Sequence, residues 1–176
     1  AGERRIRSAK LAGWTSIPCQ VREDINAHAA HQLRVVENLH RRDLNPFDQA
    51  TALKISWLVA NADAMDLSAK VEGILGKEQP QTHILAELEG LLETTGFIPT
   101  HPAVPWDEVL NRLGVEMTPS SRKKLMCVLA VDPQVQEKVR ELGLTEAALR
   151  SMGTLEVREQ KQLAKELTAN PDLTRK

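Results

Sequence analysis

Pro105-Trp106-Asp107-Glu108-Val109-Leu110-Asn111-Arg112-Leu113-Gly114, followed after Val115-Glu116-Met117 by Thr118-Pro119-Ser120-Ser121-Arg122-Lys123-Lys124-Leu125, is the stretch that decides the fold. Pro105 sits where a first helical turn tolerates proline, and Val109, Leu110 and Leu113 fall on one inward face. Gly114 can supply a left-handed turn, and Thr118-Pro119 starts a second helix, expected to run to about Val131. Helix, glycine-containing turn, helix is a helix-turn-helix order. The second helix would carry Ser120, Ser121, Arg122, Lys123 and Lys124 at its N-terminal end, with Thr118 beside them, while Leu125, Val128 and Leu129 face inward. Basic and hydroxyl side chains there suit phosphates and base edges. Two helices joined by a turn also occur in all-α proteins that never touch DNA, and three basic residues also make a solvated face. The residues alone leave both readings open.

Outward from this stretch the pattern stays helical. Ala27–Arg41 places Ala30, Leu33, Leu39 and one of the pair Val35 and Val36 near one face at spacings of three and four, and Asn45-Pro46 ends that unit before a helix over Phe47–Ala60. Helices are expected over Asp66–Leu75 and over Gln81–Thr94, the latter with Ile84, Leu85, Leu88, Leu91 and Leu92 on one stripe. Phe97–Pro105, with three prolines, reads as a connector. At the start, Glu3–Ala12 reads as a helix stopped by Gly13, and Ile17-Pro18-Cys19-Gln20-Val21 as one short strand.

Composition limits the function. The 176 residues are 41% hydrophobic and 27% charged, enough for a core, and the net charge of −1 confines any nucleic-acid contact to local basic clusters such as Arg4–Arg7 and Arg122–Lys124. The two cysteines, Cys19 and Cys127, have no partner at a zinc or redox spacing. No apolar run is long enough to span a bilayer, and the expectation is a cytoplasmic protein without membrane contact. The opening Ala1-Gly2-Glu3 has no initiator Met and reads as a cut in a longer protein. His28 and His31 stand at i, i+3, but nothing completes a metal ligand set at a recognisable spacing, so they read as ordinary helix histidines. Trp14, Trp57 and Trp106, without interleaved basic residues, read as core or hinge anchors.

A second constellation opens the chain. Arg4, Arg5 and Arg7 gather guanidinium groups at one end of a helix, and Arg grips phosphate oxygens in bidentate fashion. Glu37-Asn38-x-x-Arg41 ends another helix. Such sets also pair with surface acids.

Gly2-Glu3-Arg4-Arg5-Ile6-Arg7-Ser8-Ala9, with the segment Ile17–Val21 after it, resembles the GERRxRA box of the ParB family of partition proteins and the strand that follows. Glu37-Asn38-Leu39-His40-Arg41-Arg42-Asp43-Leu44-Asn45-Pro46 is similar to the family's ENxxR motif and its DLNP continuation. Leu144–Arg150 and the segment around Glu159-Gln160 and Ala164 resemble the helices after the family's helix-turn-helix. Ser8 stands where the box has alanine, and the stretch between Ala60 and Pro105 has no counterpart at the usual family spacing.

The resemblance implies a mainly α chain. Residues 1–46 would be the C-terminal part of a ParB-like nucleotide-binding domain, the remnant of an α/β N-terminal domain with one helix and one short strand. Residues 47–176 would be a helical DNA-binding domain, with a helix-turn-helix near 105–131 and an inserted helical segment near 61–104. It implies a CTP site with Gly2, Glu3, Arg4, Arg5 and Arg7 on the phosphates, Glu37, Asn38 and Arg41 opposite, and Asn38 near magnesium. It implies a homodimer that loads at a palindromic double-stranded DNA site as a CTP-gated clamp, hydrolyses CTP slowly, and meets a ParA-type ATPase through regions outside this sequence. The alternative is a ParB-like transcriptional repressor or accessory plasmid factor that binds an operator without nucleotide.

Overall fold

The computed structural model describes residues 3–19, 25–39 and 44–170. Ten α-helices are found among them: α1 (Glu3–Leu11), α2 (Ala27–Leu39), α3 (Pro46–Ala64), α4 (Ser68–Leu75), α5 (Gln81–Thr94), α6 (Trp106–Leu113), α7 (Pro119–Met126), α8 (Pro133–Val139), α9 (Glu146–Met152) and α10 (Val157–Ala169). Short 3₁₀ turns follow α7 at Cys127–Ala130 and α8 at Arg140–Leu142.

Three helices begin with the same device, a polar cap followed by proline. Asn45-Pro46, Thr118-Pro119 and Asp132-Pro133 start α3, α7 and α8, and each cap oxygen accepts a backbone N–H of the first turn, from Phe47, Ser121 and Gln134. Proline at the first helical position donates no hydrogen bond where none would be satisfied, so the pair both starts the helix and sets its first φ.

α3 is the central rod. Phe47, Ala50, Leu53, Ile55, Trp57, Leu58 and Ala62 are all buried, around more than one face of the helix, because α2, α4, α5, α6, α7 and the first 3₁₀ turn all pack on it. α5 lies along α3 through Ile84, Leu88 and Leu92 at intervals of four. At the C-terminal end α10 packs on α8, with Val135, Val139 and Ala164 buried, while α9 packs on α7 and the first 3₁₀ turn, with Leu149 and Met152 buried. The buried Gln160 of α10 is satisfied at both ends, accepting from Asp132 N at 2.8 Å and donating to Leu155 O at 3.0 Å.

Two expectations are corrected. Ile17–Cys19 form no strand, and the rest of that segment, Gln20 and Val21, lies outside the described residues. A strand needs a partner ladder, and none of the described residues supplies one. The second helix of the deciding stretch is α-helical to Met126 and continues as a 3₁₀ turn to Ala130, close to the expected end near Val131. The expected run of α2 to Arg41 is described only to Leu39. α1 has no extensive packing partner among the described helices, and Leu11 and Trp14 are 85% and 64% exposed, so Trp14 is not a core anchor.

The expected insertion forms two helices, α4 and α5, packed on α3. α4 also reaches α2: both carboxylate oxygens of Glu72 accept from its first backbone N–H groups, those of Ala27 and of His28, the latter at 3.1 Å. A carboxylate on these free donors satisfies the helix N-terminus and its positive dipole end together.

Candidate nucleic-acid interface

α6, which follows the proline-rich connector after α5, and α7 both pack on α3. Asn61, fully buried on α3, accepts from Val104 N at 2.9 Å and donates to Trp57 O and Val104 O at 2.9 and 3.1 Å. Trp57 Nε1 donates to the same Val104 carbonyl at 3.1 Å. The proline-rich connector is thereby pinned to α3 immediately before Pro105. Trp106 then stacks on Trp57 with centroids 4.8 Å apart and planes 4° apart, and Phe97 meets Trp57 edge-on at 5.4 Å. Beyond α6, Gly114 adopts the left-handed conformation (φ 66°) that ends the helix.

On α7, the six expected DNA-contacting residues divide by what their side chains touch. Thr118 is the helix cap, accepting from Ser121 N and donating to Ser121 Oγ at 3.0 Å. Arg122 turns back onto α6: its guanidinium carbon lies 5.3 Å from the Trp106 ring centroid, and Nη1 donates to Asp107 Oδ1 at 3.1 Å. Only 19% of that side chain is exposed. Ser120, Lys123 and Lys124 are exposed, at i, i+3 and i+4 on one face, away from the buried Leu125 and Val128. The surface open to a phosphate backbone is therefore Ser120, Lys123 and Lys124, with Ser121 at its edge. Arg122 braces the two helices.

The expected nucleotide residues are only partly described. Gly2 and Arg41 lie outside the described residues, as do the side chains of Glu3, Arg4 and Asn38. Arg5 and Arg7 are exposed on α1, and Glu37 is exposed near the end of α2. None of these three lines the cavity between α2, α3 and α6 or the cleft between α3, α5 and α8. Among the described residues, no group of three His, Cys, Asp or Glu side chains is placed to hold a metal ion. No described helix is long and apolar enough to cross a membrane.

Sequence patterns miss several residues that organise the site. The Asn45 amide, besides capping α3, donates to Arg140 O at 2.8 Å, and Arg140 pairs with Asp48. The DLNP segment is thus fastened to the turn after α8, a link between residues more than ninety apart.

Comparison with curated proteins agrees with the motifs. The chain is 32% identical over 117 residues to the protein named "Probable plasmid-partitioning protein ParB" of Thermus thermophilus, a match covering 65% of this chain and 35% of that one. It is 46% identical over 52 residues to "Probable chromosome 1-partitioning protein ParB" of Deinococcus radiodurans, and 46% identical over 52 residues to "Stage 0 sporulation protein J" of Bacillus subtilis. Each of these matches covers 30% of this chain and 18% of the relative. No family model matches the chain, and no solved structure matches it. The motifs and relatives make this helical chain similar to part of the ParB partitioning proteins, and it spans about a third or less of the length of these curated relatives.

Proposed function

We propose that the chain is the DNA-reading part of a chromosome or plasmid partition protein, in which α6 and α7 act as a helix-turn-helix and α7 enters the major groove. The observation that carries this reading is the exposure of Ser120, Lys123 and Lys124 on one face of a short, well-capped helix in a chain similar to part of the ParB partitioning proteins. With a net charge of −1, the protein has no diffuse basic field, so a local, oriented set of cations has to do the positioning. In this reading the whole protein is a homodimer on a palindromic site, partnered by a ParA-type ATPase.

The proposal extends to CTP and magnesium in the whole protein. The donor chemistry fits: guanidinium groups of Arg5 and Arg7 match phosphate oxygens, and Glu37 offers a hard oxygen for magnesium, which needs only one or two carboxylates beside phosphate and water. Nucleotide would then switch the protein between open and DNA-clamping arrangements.

One observation favours a second reading, an operator-binding repressor without nucleotide. Glu72 of the inserted α4 holds the N-terminus of α2, the helix that carries Glu37 and Asn38, against the helical body. A helix so fixed is poorly suited to swing during a nucleotide switch.

Selection of duplexes from a random-sequence library by the 176-residue chain, followed by calorimetry of the full-length protein with CTP and with ATP, tests these readings. Partition function predicts one enriched inverted repeat and preferential CTP binding. An enriched site with equal, feeble heats for both nucleotides selects the repressor. No enriched sequence rejects DNA reading.

A further inference from the structure

α10 carries a charged stripe to which the proposed function assigns no role. Arg158, Lys161 and Lys165 stand at i, i+3 and i+7, which at about 3.6 residues per turn gathers them within about 60° of the helix surface, with Gln162 beside them. The opposite side of the helix is the packed one: Gln160 and Ala164 are buried, and Leu163 and Leu167 are half-buried. The stripe therefore points away from the protein body. Arg158 and Lys165 are exposed, and Lys161 reaches only the limit of an ion pair, 4.0 Å from Asp132 Oδ2. No carboxylate of α10 falls in that arc: Glu159 is held in the capping box with Glu156, and Glu166 accepts from Gln162 at 3.2 Å.

The shape selects the partner. The groove along these cations is lined by residues of α10 alone, so no second wall encloses a small ligand. A row of cations about 10 Å long, from a rise of about 1.5 Å per residue, instead matches a linear polyanion and spans about three phosphate steps of one DNA strand. α10 is also fastened to the segment that leaves α7, because Gln160 Oε1 accepts from Asp132 N at 2.8 Å, shortly beyond the 3₁₀ turn after Met126. Lys124 and Asp132 are joined by helix, 3₁₀ turn and a short extended link, which puts them no more than roughly 20 Å apart. One turn of duplex is about 34 Å long, so a single duplex has the length to meet both helices.

We propose that the outward face of α10 is a second DNA contact, in which Arg158 and Lys165, with Lys161 between them, hold the phosphate backbone beside the site read by α7. This deepens the DNA-reading role given to α7 and rests on it. Contacts to phosphate carry no sequence, so α10 adds affinity on any duplex and leaves the choice of site to α7.

The test is fluorescence anisotropy of two labelled duplexes of unrelated sequence, titrated across a range of salt with the 176-residue chain and with variants whose melting shows them folded. Arg158→Gln with Lys165→Gln should weaken binding about tenfold at low salt and flatten the slope of log K against log salt by about 1.8, roughly 0.9 per phosphate, equally on both duplexes. Lys10→Gln with Lys70→Gln, which removes the same charge from exposed positions on α1 and α4, should leave the slope unchanged. Should the α10 pair not fold, Arg158→Gln alone decides, with a slope change of about 0.9. An α10 variant with the affinity and slope of the unaltered chain overturns the proposal, and so does a slope flattened as much by the control pair. Weakening by Lys123→Ala with Lys124→Ala but not by the α10 pair leaves α7 as the reader and removes α10 alone; a chain that binds neither duplex rejects both.

Discussion

Arg122 lies over Trp106 at 5.3 Å from its centroid and donates to Asp107 Oδ1 at 3.1 Å, so the arginine of the candidate reading helix serves the helix before it. The cation–π contact contributes about 0.5–1 kcal/mol, and the ion pair, with Asp107 exposed, at most about as much. Arg122→Ala should lower the unfolding free energy by about 1–2 kcal/mol, whereas Lys123→Ala and Lys124→Ala should change it by less than about 0.5 kcal/mol. Urea unfolding of the three variants separates the brace from the open cations. Equal stability for all three would mean that Arg122 braces nothing.

Asn61 should be among the least replaceable polar residues. Asn61→Ala strands the buried Val104 N–H and opens a void beneath the Trp57–Trp106 stack. The cost expected is about 2–3 kcal/mol, with a change in tryptophan fluorescence as the stack loosens. A loss below about 0.5 kcal/mol would show that the connector is held by something else.

Glu72→Ala should loosen α2 specifically. Removing the carboxylate from the Ala27 and His28 amides takes away about 1 kcal/mol of capping, so amides of the first turns of α2 should exchange about fivefold faster while those of α5 are unchanged. Uniform acceleration across both helices would argue for a general loss of stability instead.

Burial, then the nearby charges of Arg34 and His28, lower the His31 pKa from 6.5 to about 4. Between those two values the unfolded chain takes up a proton that the folded chain refuses. Stability is therefore full above 6.5, falls as the pH drops, and stops falling near 4 on account of this group. The expected loss is about 1–3 kcal/mol, and His31→Phe should remove that part of the pH dependence. Urea midpoints measured across this range for both proteins check it; parallel curves would assign the dependence to other groups.

The helices were legible where a local rule sufficed. Ile84, Leu88 and Leu92 repeat every four residues and announce α5, and Asn45-Pro46 and Thr118-Pro119 mark the first residues of α3 and α7. Asp132-Pro133 carries the same signal for α8 and was equally open to reading. Arg122 was legible as basic but not as a brace, because Asp107 stands fifteen residues earlier, at no helical period. Glu72 lies more than forty residues from the helix it caps, and nothing in its neighbourhood marks it. The strand expected at Ile17–Val21 shows the opposite failure. Its local β pattern was clear, but a strand also needs a neighbour to pair with, and no local pattern reports one.

The central claim, that the exposed cations of α7 hold DNA, is tested most directly by the salt dependence of duplex binding. Fluorescence anisotropy of a labelled duplex, titrated with the 176-residue chain across a range of salt, gives the slope of log K against log salt. Replacing Lys123 and Lys124 together by Ala should weaken binding and flatten that slope by roughly 0.9 for each phosphate that α7 no longer neutralises, about 1.8 for the pair. A double variant with the affinity and slope of the unaltered chain would contradict the account and remove α7 as the DNA-reading element.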